Sequence, residues 1–233
     1  MTTAVVSAGQ AGTHSLGDWL TRHWFLTFAV AYGLWVWLPF MAPVFMHAGW
    51  VAAGNAIYFI YSFFCHQLPE RSFFLFGSRP MYSLADIQAA GQATINPMLL
   101  RKFIGNASMG WKVAWSDRMI SFYTSIWLFA SLWKASPRQM RPLPWWGLAL
   151  LLLPIVLDGG THAVSDLAGI GRGFRDANEW LAVLTHNAFP PNFYAGDALG
   201  SFNSLMRLIT GILAGLGIVW FAFPHVEASF DQG

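Results

Sequence analysis

The chain has 233 residues, of which 55% are hydrophobic and only 10% charged. An ordinary soluble domain carries about 25% charged residues, so this chain cannot clothe a water-facing surface and is expected in a membrane. Its net charge of +2 is too small to suggest a nucleic-acid partner, and a lone cysteine, Cys65, rules out an internal disulfide or an all-cysteine metal site within one chain.

Met1 to Ser15 is small and polar without a basic start, which argues against a cleaved signal peptide and sets residues 1–23 apart as a polar N-terminal segment. A spanning helix needs about 20 mainly apolar residues. Trp24 to Met46 meets that length, with Pro39 and Pro43 expected to kink its second half. A short turn, His47 to Trp50, leads to a second segment, Val51 to His66, ended by Pro69. Trp111 to Trp133 is the third segment. Pro144 to His162 is the fourth, with Pro144 placed as a first helical residue. Phe202 to Phe223 is the fifth, closed by Pro224, so that 24–223 forms one transmembrane domain and 224–233 a tail. Many of the thirteen Trp fall near these ends, where indole rings prefer the headgroup level. The expected fold is an all-α polytopic bundle of about five transmembrane helices.

Two connections are long, Leu68 to Gly110 and Ala163 to Ser201, and short interfacial helices are expected in both. Ser83-Leu84-Ala85-Asp86 resembles a capping box with Asp in place of Glu. Asn96-Pro97 ahead of Met98 to Ile104 and Gly105 has a cap, a first-turn proline and a terminating glycine. Asp176 to Ala188 reads as an amphipathic segment along the interface. The plain reading makes these covering loops; the sharper one makes them a lid.

Polar groups concentrate where the segments end. His66, Gln67, Glu70 and Arg71 follow the second segment, Asp117 and Arg118 open the third, Asp158 and His162 close the fourth, and Asn203 and Arg207 open the fifth. In an up-and-down bundle these ends share one face. Charges buried in lipid are costly, so they face the bundle interior and are candidate functional groups. Counting Arg22, Arg71, Arg79, Arg101, Lys102, Lys112, Arg172 and Arg175 against Lys134, Arg138 and Arg141 leans that face towards the cytoplasm of a plasma-membrane protein.

Asp158 and His162 lie four apart and share a helix face. They read as a hydrogen-bonded pair or, with His66 or Asp117, as part of a metal site, which needs three or more ligands. Asp117 and Arg118 point about 100° apart on a helix, so each needs a partner elsewhere. Asp158 suits one Arg and Asp117 the other. Either these groups fix helix register, or Arg71, Arg118 and Arg207 cluster as a phosphate or carboxylate site. His66 allows a proton-transfer role or is simply solvated. Gly211 and Gly215 form a small-residue stripe that permits close helix contact, within the bundle or between chains. Asn106-Ala107-Ser108 matches a glycosylation sequon, a weak signal.

Cys65-His66-Gln67-Leu68-Pro69-Glu70-Arg71-Ser72-Phe73, then Ser116-Asp117-Arg118-Met119, Pro154, Asp158-Gly159, Thr161-His162, Asn203, Arg207 and Thr210-Gly211 occur in the order seen in an uncharacterised family of bacterial and archaeal membrane proteins, domain of unknown function 2085. The chain resembles that family from about Tyr58 to Gly215. The resemblance implies a small polytopic protein and carries no activity with it. The chain departs where the family resembles Cys-x-Arg-Cys-Thr-Gly: here Ser116 to Ser121 keeps only the Arg, so a metal or redox step that used paired thiols there would be lost. His162 stands where the family tends to have Gln, and Gly77 to Gly110 is a long insertion.

Three functions fit the residues: a non-catalytic subunit of a membrane assembly, with haem or pigment ligation by His as a variant; a membrane-embedded enzyme or lipid-phosphate binder using the His/Asp/Arg cluster; and a transporter, the weakest fit for five helices without a repeat.

Overall fold

The computed structural model describes residues 16–136 and 141–230. The polar stretch up to Ser15 and residues 231–233 lie outside them. The helices are α1 (Leu16–Arg22), α2 (Trp24–His47), α3 (Val51–Tyr61), α4 (Leu84–Ala89), α5 (Pro97–Leu100), α6 (Asp117–Ala135), α7 (Trp145–Asp166), α8 (Phe174–Ala177), α9 (Glu179–Leu184), α10 (Pro191–Tyr194) and α11 (Phe202–Phe230). Three of them, α2, α7 and α11, are long and apolar enough to cross a membrane, and α3 is a shorter apolar helix.

The chain is mostly helical but not all-α. β1 (Ser72–Leu75), β2 (Gly105–Asn106) and β3 (Gly110–Ser116) form an antiparallel sheet in the order β1-β3-β2. Phe74 pairs with Lys112, Leu75 with Trp111 and Gly105 with Trp111. The first six residues of the expected third helix are therefore strand. Trp111, Val113 and Trp115 favour a pleated backbone, and the run from Lys112 to Trp115 is buried on both faces, so it shows no alternation to separate it from a helix. Asn106 sets the entry turn: its side-chain oxygen accepts from the amides of Ser108 and Met109 at 3.0 and 2.9 Å. Gly110 has φ +75°, and a Cβ there would lie 2.2 Å from the Leu75 carbonyl oxygen, so only glycine fits.

Other boundaries also shift. α3 stops at Tyr61 rather than running to His66, because its last carbonyls find side-chain partners. Gln67 Nε2 donates to the Tyr58 oxygen at 2.9 Å and Arg101 Nη2 to the Ser62 oxygen at 2.8 Å. Pro144 is the cap before α7, not its first residue. α11 runs through Pro224 to Phe230 instead of ending there. In the long loops, Ser83 and Asp86 do form the capping box and Asn96 caps α5, but α5 ends at Leu100. The expected segment from Asp176 to Ala188 is divided: it takes in the end of α8 at Ala177 and then α9, separated by Asn178 at φ 44°.

α11 packs against α6 and α7, and α2 against α3, β3 and α6. A Cβ at Gly211 or Gly215 would sit 2.1 or 1.9 Å from the hydroxyls of Ser121 and Ser125. The glycine stripe thus makes its close approach to α6 inside the chain. At one end of the bundle Trp24 Nε1 donates to Glu227 at 2.9 Å, Lys134 pairs with Glu227 at 3.0 Å, and Trp24 meets Trp133 and Phe223. The start of α2 therefore lies at the far end from Asp117 and Arg207, and Arg22 leaves the face to which the charge count assigned it. α2 then runs antiparallel to α6, passing Trp115 at Val36 (3.3 Å) before reaching His47, which stacks on Phe76. The second half of α2, α3 and the sheet enclose one core of Ala42, Met46, Ile57, Tyr58, Tyr61, Val113 and Trp115.

Candidate functional site

From Trp145 to Asp158, α7 rises about 20 Å, and at that level α6, α7 and α11 gather their charges. The starts of α6 and α11 and the last turns of α7, which continues past the expected end at His162 to Asp166, bring Asp117, Arg207 and Asp158 together, and loops on either side add Arg71, Arg175 and Asp197. Arg207 is 2% exposed. Its Nε donates to both oxygens of Asp117 at 2.8 Å, its Nη1 to Asp197 Oδ1 at 2.6 Å and its Nη2 to the Asp197 carbonyl at 2.7 Å. Arg71 completes that half of the network, donating from Nε to Asp197 and from both terminal nitrogens to Asp166, each at 2.7 Å. Burial alone would raise the Asp197 carboxyl, but Arg71, Arg207 and His162 hold it well below the usual carboxylate range.

The other half is a triad. Asp158 accepts from Arg118 Nη2 at 2.8 Å and from Arg175 Nη2 at 2.7 Å. Arg175 also reaches Asn203 and Thr161, each at 3.2 Å. Asn203 accepts from Asn178 as well, and donates to the carbonyls of Arg175 and Gly196 at 2.7 and 3.0 Å, so it clamps the 175–196 loop to α11. His162 joins the halves. Its Nδ1 lies 3.1 Å from the Asp158 carbonyl and 3.5 Å from Asp158 Oδ1, and its Nε2 3.5 Å from Asp197 and 3.3 Å from Arg207 Nη1.

Four guanidinium groups thus meet four carboxylates. The split is uneven: Asp117, Asp166 and Asp197 outnumber Arg71 and Arg207 in one half, while Arg118 and Arg175 outnumber Asp158 in the other. The Arg118 end carries one unit of excess positive charge. Every nitrogen of Arg71, Arg175 and Arg207 has a partner. Arg118 differs: its Nε is buried without one, and among the described residues none bonds its Nη1. Gly159 makes room for it, since a Cβ there would be 3.1 Å from Arg118 Nη1.

Arg118 borders a cavity of about 350 Å³ whose wall is mainly apolar, formed by Leu68, Pro97, Met119, Ala163 and Leu167, with His66, Arg71, His162 and Arg207 on its polar side together with Asp166, whose carboxylate is held by Arg71. The expected Arg cluster therefore exists, but Arg71 and Arg207 are spent on carboxylates and only Arg118 has donors to offer. His66 is exposed and lines the cavity; among the described residues no hydrogen bond or ion pair joins it to the network. Gln67 is structural, holding α3 through its side chain and accepting from the Lys112 ammonium through its carbonyl at 2.7 Å. Among the described residues no three His, Cys, Asp or Glu side chains are placed to hold a metal, so His66, Asp158 and His162 do not form that trio.

Glu70 stands apart from the network. It borders a second cavity of about 370 Å³ with Ser83, Gln88, Asp176 and Asp197. It is 2% exposed, and neither carboxyl oxygen has a hydrogen-bond partner of sound geometry. Burial pushes it up to about 7, offset only partly by Arg71, its own amide and Lys112. Lys112 is likewise fully buried, with its Nζ 2.7 and 2.6 Å from the carbonyls of Gln67 and Arg101, and burial pulls it down to about 7.

Sequence reasoning missed Asp166, Arg175 and Asp197. Asp166 continues the spacing Asp158, His162 by one more turn, a signal that was available. Arg175 and Asp197 lie in irregular loops, where no periodicity points a side chain anywhere.

Among curated proteins, an uncharacterized protein of Methanocaldococcus jannaschii is 23% identical over 211 residues, covering 87% of this chain and 92% of the relative. No solved structure matches. Residues 107–221 match the family described as "Predicted membrane protein (DUF2085)", a stretch that holds Asp117, Arg118, Asp158, His162, Asn203 and Arg207 and leaves out the Cys65–Phe73 block. The resemblance carried by those motifs is thus to the predicted membrane proteins of domain of unknown function 2085, and it holds over the half of the chain that supplies α6, α7 and α11.

Proposed function

We propose that this protein is an integral membrane binding protein for an anionic group, a phosphate or a carboxylate, which it takes up beside Arg118. In this reading α2, α6, α7 and α11 cross the bilayer, with the polar start of α6 sheltered between α2 and α11. α3, at about 16 Å, is too short to cross a core of about 30 Å and folds back over the sheet. The network is first of all a register device, since removing one partner of a buried pair strands the other. One observation lifts it beyond that: a single guanidinium with unused donors, at the positive end of the network, opening onto a cavity. Guanidinium groups bind phosphate and carboxylate through adjacent N–H pairs. α6 fills the glycine stripe from within the chain, so the stripe itself is not an argument for a partner subunit.

The test is thermal unfolding of the purified protein in nonionic detergent with inorganic phosphate against chloride at equal ionic strength. Saturating phosphate at about 100 times its Kd should add about 2.7 kcal/mol. Arg118→Lys keeps the charge beside Asp158 but removes the fork, and should weaken the effect. No saturable difference between phosphate and chloride in the native protein, or an undiminished one in Arg118→Lys, would overturn the proposal.

A further inference from the structure

We infer that the anion is the headgroup of a bilayer phospholipid, which enters the cavity sideways between the end of α7 and α5. The inference rests on the anion-binding reading and names its ligand. A site for a free, hydrated anion wants a polar mouth. Here the lining is mainly apolar, with exposed His66 and Arg71-bound Asp166 among its polar members. Leu167, directly after α7, lines the cavity and is 86% exposed, the highest value among the exposed large hydrophobic side chains. Pro97, at the start of α5, also lines it, and its neighbours Met98 and Leu99 are 59% and 46% exposed. The two segments are tied together by the Ile170 amide donating to the Ile95 carbonyl at 3.3 Å, so these apolar side chains form one collar.

The collar continues along α7. Val156, Gly160, Ala163 and Leu167 follow at spacings of four, three and four, which place them on one helix face. Val156, Gly160, Ala163 and Leu167 are all exposed, and a Cβ at Gly160 would meet nothing within 4 Å. This face is open and apolar, and it ends at the cavity where Arg118 waits. An acyl chain lying along it would bring a phosphate to the guanidinium, which itself lies over Gly159. The positive excess of the Arg118–Asp158–Arg175 triad selects an anionic headgroup over a zwitterionic one. Apolar wall and single cationic donor together describe an amphiphile with a charged end.

The experiment uses the full chain, freed of co-purified lipid by detergent exchange, and three probes: dioctanoyl phosphatidylglycerol, dioctanoyl phosphatidylcholine and inorganic phosphate. Binding is read by native mass spectrometry and by thermal shift. The expected order is phosphatidylglycerol tightest, with phosphatidylcholine and phosphate each about tenfold weaker or more. Gly160→Phe, on the exposed apolar face of α7 outside the cavity lining, where a Cβ meets nothing within 4 Å, obstructs the path of the acyl chain. It should weaken phosphatidylglycerol about tenfold and leave phosphate unchanged. Phosphate binding as tightly as phosphatidylglycerol, or phosphatidylglycerol indifferent to Gly160→Phe, would overturn the lipid inference and leave the anion site standing. Equal affinity for phosphatidylcholine would also overturn it. Failure of all three probes would remove both.

Discussion

Glu70→Gln tests how the loop side of the protein stores charge. Below a pH of about 4.5 the carboxyl holds its proton in the folded and the unfolded chain alike. Between the ordinary 4.5 and about 7 the folded chain keeps a proton that the unfolded chain has released, so stability falls as pH rises. Above about 7 the loss is complete. The interval from 4.5 to about 7, at about 1.4 kcal/mol per pH unit, amounts to about 3 kcal/mol. Gln cannot ionise, so the variant should lack that slope. Relative to its own stability near pH 4 it should gain about 3 kcal/mol on the native protein by about pH 8. Any fixed cost of burying the amide cancels in this difference. The assay is equilibrium unfolding in mixed detergent micelles across that pH range. Parallel stability curves for the two proteins would refute the reasoning and mean that Glu70 finds a partner or water when ionised.

Asp197→Asn takes a carboxylate away from Arg71 and Arg207 at once, and should cost about 3–5 kcal/mol in the same unfolding assay, with Asp197→Glu recovering part of it. Gly215→Val drives a side chain into Ser125, whose hydroxyl is 1.9 Å from the Cβ position; a loss of about 1–3 kcal/mol is expected, and Ser125→Ala in the same chain should relieve some of it. Topology is checked by cysteine labelling in sealed vesicles on a Cys65→Ala background. Cysteines at Arg22 and Glu227 should label from the same side and one at Arg172 from the other. Labelling of Arg22 and Arg172 from one side would restore five crossings.

How much could be read in advance follows from what each stretch shows. Asp158 and His162 were legible because helical spacing makes neighbours of residues four apart. Ser83 and Asp86 were legible because capping is local chemistry. The strand Gly110–Ser116 was not, because a short apolar run buried on both faces has no period of its own. Nor was the direction of α2. An up-and-down reading assumes that every apolar segment crosses, and α3 has only half the required length once Gln67 and Arg101 take its final carbonyls. That one segment reversed the placement of Arg22. The pairing partners inside the cluster were partly fixed by elimination, since adjacent Asp117 and Arg118 cannot serve each other. Asp197 required the loop itself, held by Asn203 and Asn178.

The order of the charges along the chain bears on how the protein is made. Asp117 and Arg118 leave the ribosome before Asp158, and Asp197 and Arg207 come last. Until α11 arrives, α6 carries a carboxylate with no counter-ion, which disfavours its settling in the lipid. In the proposed topology, in which α6 crosses the bilayer, its insertion is therefore completed late, by recruitment of α11, and a nascent chain cut short before Arg207 presents an unneutralised helix start.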